Sequence, residues 1–168
     1  MSQILIISDS HYMRKEQLLQ FFHQFDHIDA IIHCGDIYLG FQPNDFKCDI
    51  PFYICRGNND FGHLDNACLF EIDGLKFYIT HGHIQNYAYN PMSLQENLPE
   101  SVDVICFGHT HVPYLHQDNH ITIINPGSLA LGRTYPRHNT YVLFDTTSKD
   151  VHFYDIKTNE EIKIKSED

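Results

Sequence analysis

The chain has no tryptophan, only 11 Lys and Arg against 22 Asp and Glu, and no apolar run of membrane-spanning length. A formal charge of −11 leaves no basic surface of the kind that general nucleic-acid or anionic-membrane binding requires. Without an apolar stretch of roughly 20 residues, no transmembrane helix is expected. The opening residues Met1-Ser2-Gln3-Ile4 carry neither a basic segment nor a long apolar one, so no signal peptide is predicted. Cysteine is present but unpatterned: Cys34, Cys48, Cys55, Cys68 and Cys106 are odd in number and share no spacing. That argues against a disulfide framework and for a reduced, cytoplasmic protein with free thiols. Internal repeats, low-complexity segments and linkers are also missing, so the 168 residues are expected to form one domain, 1–168.

What is present describes a globular chain, 42% hydrophobic and 20% charged, with 12 Phe and 10 Tyr. Ile4-Leu5-Ile6-Ile7 and Ala30-Ile31-Ile32 read as buried, parallel strands. Between them Leu18, Leu19, Phe22 and Phe25 recur at helical spacing, which predicts an amphipathic helix over 14–25. Strand–helix–strand order is a βαβ unit with a right-handed crossover. Further strands are predicted at 50–55, 69–72, 75–79, 102–107, 114–117, 121–124, 140–144 and 151–154, with a last one at 162–164. Asp73-Gly74 and Asp118-Asn119 are the hairpin turns. A short helix is expected at 93–98. Many strands and few helices imply two packed sheets flanked by helices, an α/β architecture.

Thirteen histidines are the compositional anomaly. Several fall in groups that each follow an apolar run: Asp9-Ser10-His11, Gly35-Asp36, Gly57-Asn58-Asn59-Asp60, Thr80-His81-Gly82-His83 and Gly108-His109-Thr110-His111. In open sheets, ligands collect beyond the carboxyl ends of parallel strands. Asp9, His11, Asp36, Asn58, His81, His109 and His111 all lie there, enough donors for a two-metal site. Carboxylate, imidazole and one amide oxygen suit Mn²⁺ first, then Fe²⁺, Co²⁺, Ni²⁺ or Zn²⁺, better than the all-oxygen shell of Ca²⁺. The glycines beside these donors are read as points of sharp turning and close approach. Asp36 is the natural bridging carboxylate. Two divalent ions against Asp9 and Asp36 leave roughly two positive charges, which attract a phosphate even on an acidic protein.

The motifs, in this order from Ile4 to about Ser128, resemble those of the calcineurin-like metallophosphoesterases. Length and the turn Asn125-Pro126-Gly127-Ser128 look like the small single-domain branch, the YfcE-type phosphodiesterases. The resemblance implies a four-layer α/β/β/α sandwich. It places Asp9, His11, Asp36 and His111 on one metal, and Asp36, Asn58, His81 and His109 on the other. It also implies in-line attack on phosphorus by a hydroxide bridging the ions. Relatives often carry His after the ligand Asn. Here Asn59 stands in that place, able to hydrogen-bond a phosphate but unable to act as a general acid, which leaves the proton to water or to His83. His83 is read either as a contact of substrate or ligands, or as an exposed loop residue. Asp60 is expected to accept a hydrogen bond from a ligand side chain.

Arg56 and Arg133 are exposed by default, with a phosphate clamp as the alternative reading. Cys34 and Cys55 are expected to be buried and inert. Ser128 is read as structural, His23, His27, His116, His120, His138 and His152 as surface residues, and His33, just before the Gly35-Asp36 group, as packing at the site. Residues 38–49 and 87–92 are candidates for the pocket wall. The function expected is a phosphodiesterase acting on a small phosphoester. The alternatives are a phosphomonoesterase, or a metal-binding scaffold resembling the small retromer subunit. A homo-oligomer through open sheet edges is a further expectation.

Overall fold

The computed structural model describes residues 1–37 and 50–164. In chain order it contains β1 (Gln3–Ile7), α1 (Lys15–Phe22), β2 (Ala30–His33), β3 (Phe52–Ile54), β4 (Ala67–Ile72) and β5 (Leu75–Thr80). Two 3₁₀ helices follow, at Ile84–Tyr89 and Pro91–Asn97. The rest are β6 (Val104–Cys106), β7 (Pro113–Gln117), β8 (Thr122–Pro126), β9 (Thr140–Asp145), β10 (Val151–Asp155) and β11 (Glu161–Ile162).

The strands form two mixed sheets, ordered β11-β10-β9-β1-β2-β3 and β4-β5-β6-β8-β7. β1, β2 and β3 are parallel in the first, and β5, β6 and β8 in the second. Side-chain alternation explains the layering. Ile4 and Ile6 point from β1 toward the second sheet, where they join Phe77, Ile79, Val104 and Ile124 in one core. Leu5 and Ile7 point the other way, onto Leu18, Phe21 and Phe22 of α1. On the outer face of the second sheet, Ile105 and Ile123 pack with Ala88 and Leu94 of the 3₁₀ helices. Three apolar layers thus separate helix, sheet, sheet and helix, the α/β/β/α sandwich that the resemblance implied. Both faces of β1 are buried from Ile4 to Ile7, which is why that stretch is uniformly apolar.

Several boundaries differ from expectation for identifiable reasons. α1 ends at Phe22, with His23 as its cap, although apolar spacing continues to Phe25. Phe25 still packs in the α1 core, so burial outlasts the helix. The helix expected at 93–98 is instead part of the 3₁₀ pair, the second of which opens on Pro91. The strand expected at 50–55 is trimmed to β3. At Asp73-Gly74 the hairpin is as read: both residues have positive φ (52° and 80°), and Ile72 pairs with Leu75 across a two-residue turn. The pocket-wall candidates at 38–49, Cys48 among them, lie outside the described residues. No helix among the described residues is long and apolar enough to cross a membrane.

Candidate active site

Asp9 and His11 follow β1, Asp36 follows β2, Asn58 follows β3, His81 follows β5, and His109 and His111 follow β6. These are all parallel strands. Because the two sheets pack face to face through one core, the loops after them come together.

The structure brings the seven residues into contact. His111 Nε2 lies 3.1 Å from Asp9 Oδ1, and His11 Nε2 lies 3.1 Å from His111 Nε2. His81 Nε2 lies 3.1 Å from Asn58 Oδ1, 3.5 Å from Asp36 Oδ2 and 3.9 Å from Asp9 Oδ1. His109 Nδ1 lies 2.9 Å from Asn58 Oδ1. Two groups have donor atoms close enough to share an ion: Asp9, His11 and His111, and Asp9, Asp36 and His81. Asp36 Oδ2 also stands 3.8 Å from His11 Nε2, so both carboxylates lie between the groups. Asp36 alone had been expected to bridge.

Two of the imidazoles have determined tautomers. His81 Nδ1–H donates to the Cys34 carbonyl at 2.7 Å, and His111 Nδ1–H donates to the Leu131 carbonyl at 2.8 Å. In neutral rings the Nε2 atoms therefore carry bare lone pairs, and both point into the cluster. Asp9 Oδ1 is buried and receives no hydrogen bond, while Oδ2 accepts from Ser8 Oγ (2.6 Å) and the His109 amide (3.0 Å). Acceptors facing acceptors at about 3 Å repel unless a cation lies among them. The residues therefore fit divalent metal ions, which Asp9, His11, Asp36, His81 and His111 could hold, with Asn58 and His109 beside them.

The backbone is strained to reach this arrangement. Asp9, His11, Asp36, His109 and His111 have φ of 53°, 38°, 55°, 72° and 62°. Left-handed conformations cost non-glycine residues of order 1 kcal/mol or more and gather at functional sites. Two glycines allow close approach: a Cβ on Gly57 would meet Asp36 Oδ1 at 2.1 Å, and one on Gly108 would meet Ser8 Oγ at 2.1 Å.

A model of the calcineurin-like phosphoesterase superfamily domain matches residues 2–149. The chain belongs to that superfamily. Among curated relatives, the probable metallophosphoesterase YsnB of Bacillus subtilis is 32% identical over 161 residues, covering 94% of this chain and 93% of its own. The phosphodiesterase MJ0936 of Methanocaldococcus jannaschii is 29% identical, covering 74% of this chain and 82% of its own. Among solved structures, a Streptococcus pneumoniae protein described as a predicted phosphoesterase superposes with a TM-score of 0.75 at 23% identity, covering 96% of this chain and 92% of its own. The phosphoesterase YfcE of E. coli does so with a TM-score of 0.67 at 21% identity, covering 96% and 97%.

The electrostatics of this metallophosphoesterase site follow from burial and charge. Burial opposes ionisation of Asp9, but the close approach of the His11 and His111 imidazoles and the charge of His81 outweigh it and hold the carboxyl well below the usual range. Asp36 is likewise opposed by burial, yet His81 and Asn59 lower it to about 2. Burial pushes His81 down, but Asp36 and Asp9 reverse that and raise it. His109 and His83 are both lowered, by burial first and then by the charge of His81.

The remaining expectations resolve as follows. Asn59 turns its amide to the metal carboxylate: Nδ2–H donates to Asp36 Oδ2 (2.6 Å), and its backbone N–H donates to Oδ1 (2.8 Å). His83 lies beside the ligands, its ring 5.4 Å from that of His81 and 6.2 Å from that of His109, with Nδ1 buried and without a partner. Asp60 accepts from the backbone N–H groups of Asp36, Gly57 and Ile37, not from a ligand side chain as expected. Backbone donors need fixing where the chain turns this tightly. Ser128 Oγ donates to the Asp9 carbonyl at 2.7 Å and accepts from Leu131, a structural role. Cys34 and Cys55 are fully buried, and burial raises both thiols well above their ordinary value. His138 departs from the surface reading: it is half-buried and bonds Asp155 Oδ2 at 2.7 Å. His116 is half-buried as well.

His33, expected to pack at the site, is fully buried behind it. Its Nδ1 accepts from the Gly35 amide (3.2 Å), leaving Nε2–H to donate to Ser10 Oγ (2.9 Å). That hydroxyl donates to the Ile37 carbonyl at 2.5 Å. The chain ties the Asp9 loop to the Asp36 loop. Tyr12, Tyr89 and Arg133 also line the cleft. Of these, Tyr89 fell within the 87–92 wall segment.

Proposed function

We propose that this metallophosphoesterase is a dinuclear, manganese-dependent phosphodiesterase acting on a small phosphoester, and that it works in the cytoplasm. The observation that carries the reading is the convergence of the Nε2 atoms of His81 and His111 with an unpartnered Asp9 oxygen and the Asp36 carboxylate. Divalent ions held there supply a nucleophilic hydroxide at neutral pH and offset charge developing on the phosphoryl oxygens.

The chain's own residues prepare that chemistry. The Cys34 and Leu131 carbonyls hold the Nδ1–H groups of His81 and His111, so Nε2 is the atom each ring presents to an ion once the ring is neutral. Asn59 holds both oxygens of Asp36 and sets their direction. His109 and Asn58 lie on the open side, where a substrate phosphate enters. Asn59 cannot give a proton, and lowering of His83 keeps it neutral at pH 7, so water protonates the leaving alcohol. That favours esters with good leaving groups.

The diester preference is supported by the name of the Methanocaldococcus relative. Cytoplasmic placement is supported by the free thiols of Cys34, Cys55, Cys68 and Cys106. Association of copies through the outer strands β4 or β7 completes the proposal, with light scattering as its check. The deciding experiment strips the protein with chelator and follows hydrolysis of bis(4-nitrophenyl) phosphate and 4-nitrophenyl phosphate before and after Mn²⁺ is restored. Mn²⁺-dependent diester turnover is expected. Turnover of the monoester alone makes the protein a phosphatase, and none with metal bound transfers the reading to a binding scaffold.

A further inference from the structure

Beside the metal cleft lies a second cavity of about 500 Å³, against about 350 Å³ for the cleft itself. The two share a border formed by Tyr89 and Arg133, which line both. Phe107, Val112, Pro113 and Tyr114 give the second cavity a mainly apolar wall. Arg133 is exposed and has no ion-pair partner among the described residues. Its backbone is fixed by donating to the His111 carbonyl at 3.1 Å. A free guanidinium at the seam of a metal cleft and an apolar hollow matches a phosphate with an apolar group attached.

We propose that this cavity binds the organic substituent that stays on phosphorus during hydrolysis, and that the substituent is a flat aromatic or heteroaromatic ring system. The proposal rests on the phosphodiesterase reading. Ions held among Asp9, Asp36 and the surrounding imidazoles would supply the attacking oxygen from the buried base of the site, and an in-line leaving group would then depart toward the opening. The retained ester group projects sideways, and the sideways space next to the cleft is this cavity. A monoester has no second substituent to place there, so the cavity selects diesters. The preference for a ring comes from the rim. Tyr12 and Tyr89 are 82% and 66% exposed at the cleft, and Tyr89 already stands edge-on to His109 at 5.8 Å. Exposed tyrosines beside an arginine stack flat rings well, whatever the substituents on the ring.

Two readouts test this on the Mn²⁺-loaded full chain. The first compares turnover of thymidine 5′-(4-nitrophenyl) phosphate with that of methyl 4-nitrophenyl phosphate, which share a leaving group. The thymidine ester should have the higher kcat/KM by about tenfold or more. In Val112→Asp, a half-exposed wall position that tolerates a polar side chain, that ratio should collapse toward one. The second is calorimetric binding of phenylphosphonate against methylphosphonate, which needs no turnover. Tighter phenyl binding, lost in Val112→Asp, is expected. Equal affinities for the two phosphonates, or a turnover ratio unmoved by Val112→Asp, would overturn the cavity assignment and leave the hydrolase reading standing. Failure of both esters to turn over, with phenylphosphonate still preferred, would overturn the hydrolase reading and leave the cavity.

Discussion

Asn59 is the residue whose role changes most between sequence and structure. It occupies a position where relatives often have His, yet here it fastens the metal carboxylate through two hydrogen bonds, at 2.6 and 2.8 Å. Asn59→Ala keeps the backbone bond and loses the side-chain one. Its Mn²⁺ affinity, read by titration of the stripped protein, should fall about 10- to 100-fold, as for other groups that hold a ligand in place. Unchanged affinity would remove that role. Asp36→Ala deletes the carboxylate itself and should abolish turnover with the fold intact by circular dichroism. The pH dependence follows from the imidazoles. The pKa of His81 is raised in the metal-free protein, so its proton persists above the ordinary value of 6.5. A ligand bond needs that proton gone, so metal binding releases it, and Mn²⁺ affinity should decline as pH falls, starting above 6.5. Asp36, lowered from 3.8 to about 2, has the opposite sign. Its stabilising contribution is complete above 3.8 and lost only as pH falls through about 2, so it does not shape the neutral range. Affinity that is flat from about pH 8 to about pH 5.5 would contradict the role given to His81.

At the scale of elements, strands could be read and their ends only in part. Apolar runs marked β1, β2 and β6, whose central residues are buried on both faces, and β5 was marked by its apolar residues after the Asp73-Gly74 turn. The limits of α1 were not legible, because Phe25 is buried for tertiary reasons beyond the last helical turn. The 3₁₀ pair carries no sustained 3.6-residue period, so only its proline boundary showed in the sequence. Core and site separate cleanly in this fold. Phe77 is fully buried between the sheets, 5.6 Å from the ring of Phe70 and 5.9 Å from that of Phe144. Phe77→Ala should cost about 3–5 kcal/mol in urea unfolding. Turnover per folded molecule at 25 °C should be nearly unaltered, since this face of β5 points away from the ligand loops. A loss of turnover matching an Asp36 variant would mean that the core controls the site directly.

For the whole molecule, the site acts as a cross-link. Its donors come from β1, β2 and β3 of one sheet and from β5 and β6 of the other, so ions bound there join the two sheets at one end. Ions that bind only the folded chain stabilise it by mass action, about 2.7 kcal/mol at a hundredfold excess over Kd. Chelation should therefore lower Tm by several degrees, and Mn²⁺ should restore it with a concentration dependence that tracks activity. A Tm indifferent to saturating Mn²⁺ would imply that the donors do not hold metal in the folded state.

Which donors gather at the cleft, and on which strand ends they sit, could be read from the chain alone. Both are local properties: an apolar run, then a glycine, then a donor. It also carried the family, because motif order survives when most other residues have changed. What holds those donors in place depends on contacts that form only on folding. The bonds from Asp60 to the Asp36 amide, from His33 to Ser10 and from Ser128 to Asp9 span 24, 23 and 119 residues. No local pattern encodes a contact between segments that meet only when two sheets pack. The same reason hid the cavity at Arg133 and Tyr89. Its walls come from the 3₁₀ helices, the strand end after β6 and the loop after β8, which are neighbours in space alone.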